Sequence, residues 1–267
     1  MVYNDQTASP TLHLKDSLLE AIRDYWNAHI HDLDIATSPV GTAGFFQELD
    51  AYRFEKLQYL PQVVDFSSYR GKRLLEVGCG VGIDLIRFAR AGAIVTGVDL
   101  AEVSIALARK NVQHNGLVAD LRVMNGEELQ FEDNSFDVVY AHGVLQYTAH
   151  AQRMIQEIHR VLRPGGEAIV MVYNTYSWLP FLSKLMKVEL EHQDAPVLIT
   201  YAIWEFKALL KPFSSVRLVP ERFPVKTRLH RGFKARLYND VFVGAFQLFP
   251  KPLVRPLGWH LMAFARK

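Results

Sequence analysis

The residues best suited to chemistry lie in one glycine-rich stretch, Glu76-Val77-Gly78-Cys79-Gly80-Val81-Gly82. Its three glycines leave no Cβ between the backbone and a ligand, so the main chain can approach that ligand closely. A dinucleotide-binding turn has the spacing G-x-G-x-x-G, whereas the spacing here is G-x-G-x-G. Glu76 precedes the glycines, and its negative charge disfavours a pyrophosphate. The stretch therefore predicts a ligand site in which a cationic group fits better.

A second candidate is Asp99, which follows Gly82 by 17 residues and ends the next predicted strand. A carboxylate at that position can accept hydrogen bonds from both hydroxyls of a ribose. Dehydrogenases and nucleoside-binding enzymes share this feature, and an Asp that caps the next helix gives the same pattern. Asp99 is compatible with a nucleoside ligand but does not decide between these alternatives.

These residues fall at strand ends in an alternation of strands and helices. Strands are predicted at 73–77, 93–100, 120–124, 136–141 and 167–173, and closing strands at 216–219 and 259–264. Helices are predicted up to Gly92 and at 103–114, 151–162, 178–190 and 203–210. Such alternation is typical of a parallel sheet with helices on both faces, which places a ligand at the carboxyl ends of the strands.

The segment before this pattern predicts a helical cap. Residues 1–12 are expected to be a frayed lead-in, and apolar residues recur every fourth position from Leu14 to Ile30, which favours a helix over 13–30. A second helix is predicted over 45–60, ending before Pro61. We therefore divide the chain into a cap or lid (1–69) and a catalytic domain (70–267).

Composition excludes several classes of protein. The 267 residues are 49% hydrophobic and 22% charged, with a formal net charge of +2. No apolar run approaches eighteen residues, which argues against a membrane-spanning helix, and the N-terminus does not resemble a signal peptide. Cys79 is the single cysteine, so neither a disulfide within the chain nor a cysteine-based metal cluster is expected. We expect a cytoplasmic protein.

Positive charge is concentrated towards the end of the chain. Residues 207–267 hold 13 Lys and Arg against two acids, Glu221 and Asp240. The segment 224–257, an insertion before the last strand, mixes these charges with aromatic and aliphatic residues. Such a mixture suits a peripheral membrane contact or a protein contact, and a solvated basic face is the alternative. No RNA-binding module accompanies it, so nucleic acid is not an expected partner.

Four motifs together resemble the class I S-adenosylmethionine-dependent methyltransferases, in the branch that acts on small molecules. They are Glu76–Gly82, GlyValAspLeu at 97–100, PheAspValValTyrAlaHisGlyValLeuGlnTyrThr at 136–148 and ArgValLeuArgProGlyGly at 160–166. The resemblance covers residues 70–173. It implies a Rossmann-like, mostly parallel sheet of seven strands with the last strand reversed. It also implies S-adenosylmethionine as cofactor and S-adenosylhomocysteine as product.

The resemblance also assigns roles to individual residues. Glu76 would lie near the cofactor's ammonium, Asp99 would hold the ribose and Leu100 would pack on the adenine. The family's acid after the third strand is replaced here by Asn125, with Gly126 and Glu127 as adjacent alternatives. The implied cofactor-binding residues are Glu76, Gly78, Gly80, Gly82, Asp99, Leu100, Asn125, Gly126, Glu127 and His142.

His142 is also the leading candidate for a general base, because an unperturbed histidine titrates near neutrality; a wall residue that never exchanges a proton is the alternative. Tyr147 is grouped with it as a catalytic candidate. An aromatic acceptor pocket is predicted from Tyr25, Trp26, Tyr173, Tyr176 and Trp178. The His29-x-His31 pair with Asp32 and Asp34 is not expected to bind a metal.

Together these features predict in-line transfer of a methyl group to a small, apolar or aromatic acceptor through oxygen, sulfur, nitrogen or carbon. Two alternatives are an NAD(P)-dependent reductase on a similar sheet and a membrane- or partner-binding protein that keeps the fold without turnover. The acceptor and the oligomeric state do not follow from the sequence.

Overall fold

The computed structural model describes residues 10–187, 192–226 and 232–267. Most of the predicted lead-in (1–12), the last residues of the predicted helix at 178–190 and residues 227–231 of the insertion lie outside the described residues. No helix within the described ranges is long and apolar enough to cross a membrane.

Seven strands form one sheet in the order β3-β2-β1-β4-β5-β7-β6. They are β1 (Arg73–Val77), β2 (Ile94–Asp99), β3 (Asp120–Val123), β4 (Phe136–His142), β5 (Leu162–Tyr173), β6 (Ser215–Glu221) and β7 (His260–Arg266). β7 runs antiparallel to both of its neighbours, and the other neighbouring pairs are parallel. The predicted mostly parallel sheet with a reversed last strand is confirmed.

Helices connect and cover these strands. They are α1 (Pro10–Ala28), α2 (Ala43–Lys56), α3 (Leu60–Val63), α4 (Ile83–Arg90), α5 (Glu102–His114), α6 (Ala151–Val161), α7 (Trp178–Met186), α8 (Ile203–Leu209), α9 (Phe233–Arg236), α10 (Val243–Gln247) and α11 (Lys251–Val254). The predicted helix 45–60 is wrong at its end, because α2 stops at Lys56 and Pro61 lies in the first turn of α3. Proline is tolerated there, since the first amides of a helix have no partner within it.

The five inner strands of the sheet (β2, β1, β4, β5 and β7) bury side chains on both faces. Neighbouring residues such as Leu74 and Leu75, both fully buried, belong to different apolar clusters. One cluster packs against α4 and α5, through residues such as Phe88 and Ile105. The other packs against α6 and α8, through residues such as Ile155. The sheet is therefore the middle of three layers, which explains its long apolar runs.

The reversed direction of β7 adds its first residue to the carboxyl edge of the sheet. In the β5–β7 register, Tyr173 at the end of β5 pairs with His260 at the start of β7. In an antiparallel pair, one strand begins beside the end of the other. His260 therefore joins the edge at which β1, β2 and β4 also end.

The cap is packed onto the sheet domain through apolar and ionic contacts. Phe45, Phe46 and Leu49 of α2 share an apolar cluster with Val81 and Leu107. These contacts hold α2 against the glycine-rich turn and α5. The division of the chain at residue 69 stays a prediction.

Helix α2 also contributes to a buried ion pair, between Arg53 and Asp84. Arg53 Nε donates to Asp84 Oδ1 at 2.6 Å, and the Arg53 and Asp84 side chains are 16% and 1% exposed. Tyr140 Oη donates to Asp84 Oδ2 at 2.8 Å. Although burial alone raises the pKa of Asp84, the Arg53 guanidinium holds that pKa below its usual value. This pair joins α2 to the first turn of α4.

We expect Arg53→Met to lower the free energy of unfolding by about 3–5 kcal/mol, because it leaves the Asp84 carboxylate buried without its partner. Urea denaturation measures this loss. The matched control is Arg122→Met, which breaks the half-exposed pair with Asp120 (48% and 46% exposed) and should cost at most about 1 kcal/mol. Equal effects of the two substitutions would contradict this account.

Candidate active site

A cavity of about 220 Å³ lies at the carboxyl edge of the sheet, beneath the cap. Most of the residues predicted for a ligand site line it. These are Trp26, Glu76, Gly78, Gly80, Asp99, Leu100, Asn125, Gly126, Glu127, His142, Tyr147 and Tyr173. The structure therefore brings cap and strand-end residues together around one space.

Four predicted residues do not line this cavity. Gly82 is the residue before α4 and faces Ala108. Tyr25 is directed outwards, where its hydroxyl donates to Asp194 at 2.8 Å. Tyr176 is 59% exposed and lies against the Trp204 ring. Trp178 packs among the aromatic residues of the 224–257 insertion. Neighbours in sequence thus point to different surfaces once a strand has ended.

Asp99 stabilises the conformation of the glycine-rich turn. Gly78 and Gly80 have φ values of +69° and +52°, a region that favours glycine. A Cβ on Gly78 would lie 2.2 Å from Val144 Cγ2. The Asp99 carboxylate accepts from Gly80 N at 2.8 Å and from Ala101 N at 2.9 Å. Asp99 therefore both shapes the turn and presents its remaining lone pairs to the cavity.

Glu76 is a titratable group of the cavity wall with one unsatisfied oxygen. The residue is 4% exposed, and its Oε2 atom has no hydrogen-bond partner among the described residues. Burial raises the pKa of Glu76 well above its ordinary value, and nearby Asp84 raises it further. A buried carboxyl without a partner is costly. It becomes favourable when a ligand brings a cation or a hydrogen-bond donor, as predicted from the sequence.

The loop after β3 is fixed by a hydrogen bond within itself and by two hydrogen bonds from the segment that follows β4. Asn125 Oδ1 accepts from Glu127 N at 3.0 Å. Glu127 Oε1 in turn accepts from the Thr148 hydroxyl and from His150 N, the latter at 2.8 Å. This bonding engages the Asn125 carbonyl oxygen on one side, so any ligand donor uses its second lone pair.

A chain of polar side chains borders the same cavity. Arg53 Nη2 donates to His142 Nδ1 at 3.3 Å, and His142 Nε2 lies 3.2 Å from Tyr59 Oη. Tyr59 Oη lies 2.6 Å from His260 Nδ1, and Arg222 Nη1 donates to His260 Nε2 at 2.9 Å. Arginine only donates, so each histidine accepts on its arginine side and donates towards Tyr59. Both rings are therefore neutral in this arrangement.

Burial and arginine charge keep these histidines neutral. Burial lowers the pKa of His142 to about 3, with the Arg53 guanidinium acting in the same direction. Burial and Arg222 lower the pKa of His260 well below its usual value. The near-neutral pKa from which a general base was predicted at His142 is therefore wrong for this arrangement. Its base role stays a prediction.

Aromatic rings form the remaining wall. The Trp26 and Tyr147 rings meet edge to face with centroids 5.0 Å apart. Tyr147 Oη donates to Tyr173 Oη at 3.3 Å, and the Tyr173 ring stacks on Trp259 at 4.3 Å. Three of the predicted aromatic and catalytic candidates thus share one surface, which can bind a flat or apolar molecule.

Sequence reasoning missed Tyr59, Arg222 and His260, which all belong to the polar chain. His260 carried a usable signal: a reversed last strand must place its first residue at the edge where the parallel strands end. Arg53 lies inside the predicted helix 45–60 of the cap or lid, in which no individual site residue was singled out. Tyr59 and Arg222 follow regular elements and carry no pattern that would single them out.

Comparison with known proteins agrees with this geometry. Residues 75–170 match the family model described as "Methyltransferase domain". The match includes the glycine-rich turn, Asp99 and His142, which carry the resemblance to class I S-adenosylmethionine-dependent methyltransferases. The chain is 39% identical over 104 residues to a phosphatidylethanolamine N-methyltransferase of Cereibacter sphaeroides, covering 38% of this chain and 51% of that one. It is 34% identical over 105 residues to a ubiquinone biosynthesis O-methyltransferase of Pseudomonas aeruginosa, covering 39% and 45%.

The chain spans about half the length of these curated relatives. Solved structures share the methyltransferase fold at lower identity. A SAM-dependent methyltransferase from Aquifex aeolicus has a TM-score of 0.54 at 16% identity, covering 83% of this chain and 96% of its own. The [4+2]-cyclase SpnF has a TM-score of 0.55 at 20% identity, covering 98% and 97%. Because a methyltransferase and a cyclase share this fold, the fold alone does not fix the reaction.

We expect His142 to stay uncharged from pH 8 down to pH 5, because a pKa of about 3 leaves the neutral ring dominant throughout that range. A titration followed by the ring nitrogen chemical shifts in NMR, with His142→Gln for assignment, measures this. Protonation of His142 near pH 6.5 would contradict the arrangement and restore the case for a base.

Proposed function

We propose that the protein transfers a methyl group from S-adenosylmethionine to a small organic acceptor. The observation that carries the proposal is the Glu76 carboxyl, buried and without a partner for Oε2, beside a glycine turn organised by Asp99. An ammonium group supplies the missing partner, and a ribose uses the remaining lone pairs of Asp99. The cofactor's chemistry, when it is bound, is an activated methyl on a sulfonium ion.

Different residues of this chain are proposed to bind different parts of the cofactor. Glu76 would bind the ammonium, and Gly78 and Gly80 would lie along the methionine part. Asp99 would hold the ribose, and Leu100 would pack on the adenine. Asn125, Gly126 and Glu127 would lie beside the adenine amino group, in the loop whose hydrogen bonds already fix its shape.

The acceptor is proposed to be apolar or aromatic, because the Trp26, Tyr147 and Tyr173 rings form one aromatic wall of the cavity. The His260 ring lies between this wall and His142. The names of the two relatives indicate nitrogen and oxygen acceptors, and both atoms suit this chain. The reaction chiefly needs the acceptor atom held in line with the bond that breaks, and a rigid aromatic wall provides that.

His142 is proposed to orient the acceptor rather than to remove its proton. Both of its ring nitrogens are hydrogen-bonded, to Arg53 and to Tyr59, and its pKa of about 3 makes it a weak base. Tyr147 contributes its ring to the wall. An acceptor that is already nucleophilic, or that ionises easily, fits a site built in this way.

Neither alternative function gains a specific observation. A buried Glu76 beside the glycines disfavours the pyrophosphate of a nicotinamide cofactor. The intact glycine turn and Asp99 support cofactor binding rather than a fold kept without it. A cytoplasmic location and a contact through 224–257 remain predictions.

Binding of S-adenosylhomocysteine should release a proton from Glu76, because burial raises the pKa of Glu76 and an ammonium partner favours its ionised form. The affinity should therefore rise with pH until Glu76 is already ionised in the protein without ligand. Calorimetric titration in two buffers with different ionisation enthalpies measures the released proton. Glu76→Gln is the matched control and should bind without proton release. Binding by the wild type with no proton release would contradict the assignment of Glu76.

A further inference from the structure

From residue 233 to residue 257, the insertion between β6 and β7 is a nearly continuous helical segment anchored on one side. It comprises α9, a π-helical stretch at Leu237–Phe242, α10 and α11. On its inner side, Tyr238, Phe242 and Phe246 lie against the Trp178 ring, with centroids 6.4, 6.0 and 6.5 Å away. Val243 is 1% exposed. The inner side thus has an apolar partner within the protein.

The outer side is also apolar, and solvent covers it. Phe233, Leu237 and Val241 are 80%, 45% and 57% exposed. Their four-residue spacing places them in a row along a helix. Leu248 and Leu253 continue the segment at 86% and 72% exposed. Single exposed apolar residues are ordinary, but several large ones in one segment indicate an interaction surface.

α7 adds a second pair of the same kind. Phe181 and Leu185, four residues apart, are each 69% exposed. α7 begins at Trp178, the residue on which the insertion packs. The two helical segments therefore meet at one anchor. We call their exposed apolar residues the docking face: Phe181, Leu185, Phe233, Leu237, Val241, Leu248, Phe249 and Leu253.

The charges around the docking face are almost all positive. Residues 176–187 and 232–257 contain six Lys and Arg against one acid, Asp240. Lys184, Lys187, Arg236 and Arg255 are exposed. Basic side chains beside large apolar ones match the two layers of a membrane surface, since phosphates lie above the acyl chains.

We propose that the docking face binds the surface of an anionic phospholipid bilayer. Its apolar side chains would enter the boundary between headgroups and acyl chains, and the flanking basic side chains would contact lipid phosphates. A protein contact is the weaker interpretation, because interfaces between proteins are depleted in lysine, whereas lysines make up four of the six cations here. The face lies along the surface and does not span the bilayer.

This position would also deliver an acceptor to the cavity, a step that rests on the proposed function. Arg222, the residue that follows β6, lines the cavity. Its carbonyl oxygen accepts from Trp178 Nε1 at 2.9 Å. The anchor of the docking face is thus one hydrogen bond from the cavity wall. An amphiphilic acceptor held at the bilayer would have a short path to the site.

Flotation with vesicles tests the surface. The full chain is mixed with vesicles of phosphatidylcholine alone or of phosphatidylcholine containing phosphatidylglycerol. We expect it to float with the anionic vesicles only. The double variant F233E/L237E should lower the bound fraction about 10-fold or more, since it removes two apolar side chains from the face and places two acidic groups next to an anionic surface. The substitution Lys184→Glu together with Lys187→Glu should also lower the bound fraction. This reduction should become smaller when salt is added.

Matched controls separate this effect from general changes in charge. Val118→Glu alters an equally apolar residue that is 91% exposed but distant in sequence from the docking face, and Lys211→Glu alters an exposed cation outside it. Both should float like the wild type. Circular dichroism and the affinity for S-adenosylhomocysteine verify folding, so lost flotation with intact cofactor affinity leaves the proposed function standing.

Two results would overturn the proposal. One is wild-type protein that stays in solution with every vesicle. The other is a wild-type protein that does not float but forms a dimer or larger complex in light scattering, which F233E/L237E dissociates. That result would assign the face to a protein contact.

Discussion

The buried ion pair between Arg53 and Asp84 is the constraint on which the site depends. It fixes α2 of the cap to α4, which starts directly after the glycine-rich turn. Breaking the pair would leave a buried charge without its partner. Separating the cap from α4 therefore has a high free-energy cost. The same guanidinium donates to His142. One arginine thus helps to hold the cap in place and, together with burial, keeps His142 neutral.

Two parts of the cavity wall differ in electrostatic character. In the part proposed to hold the cofactor, the buried Glu76 and the half-buried Asp99 have raised pKa values, because desolvation disfavours their ionised forms. In the part proposed to face the acceptor, two neutral histidines lie between Arg53 and Arg222. This division fits the proposed cationic cofactor and an electron-rich acceptor. The arrangement favours catalysis by alignment over catalysis by a base.

Much of this architecture follows from the sequence. The strands, the glycine turn and Asp99 were predictable because strand periodicity and backbone conformation are local properties. The aromatic residues after β5 were only partly predictable, since Tyr173 faces the cavity while Tyr176 and Trp178 turn away. The polar chain could not be predicted, because Tyr59, His142 and His260 are far apart in sequence and only the folded structure brings them together. The pKa of His142 depends on the same long-range packing.

The most direct test of the account is a calorimetric titration of one preparation with S-adenosylhomocysteine, NADH and NADPH. The account predicts binding of S-adenosylhomocysteine alone, because Glu76 and Asp99 together fit an amino acid joined to a nucleoside. Binding of either nicotinamide nucleotide, with no response to S-adenosylhomocysteine, would contradict it.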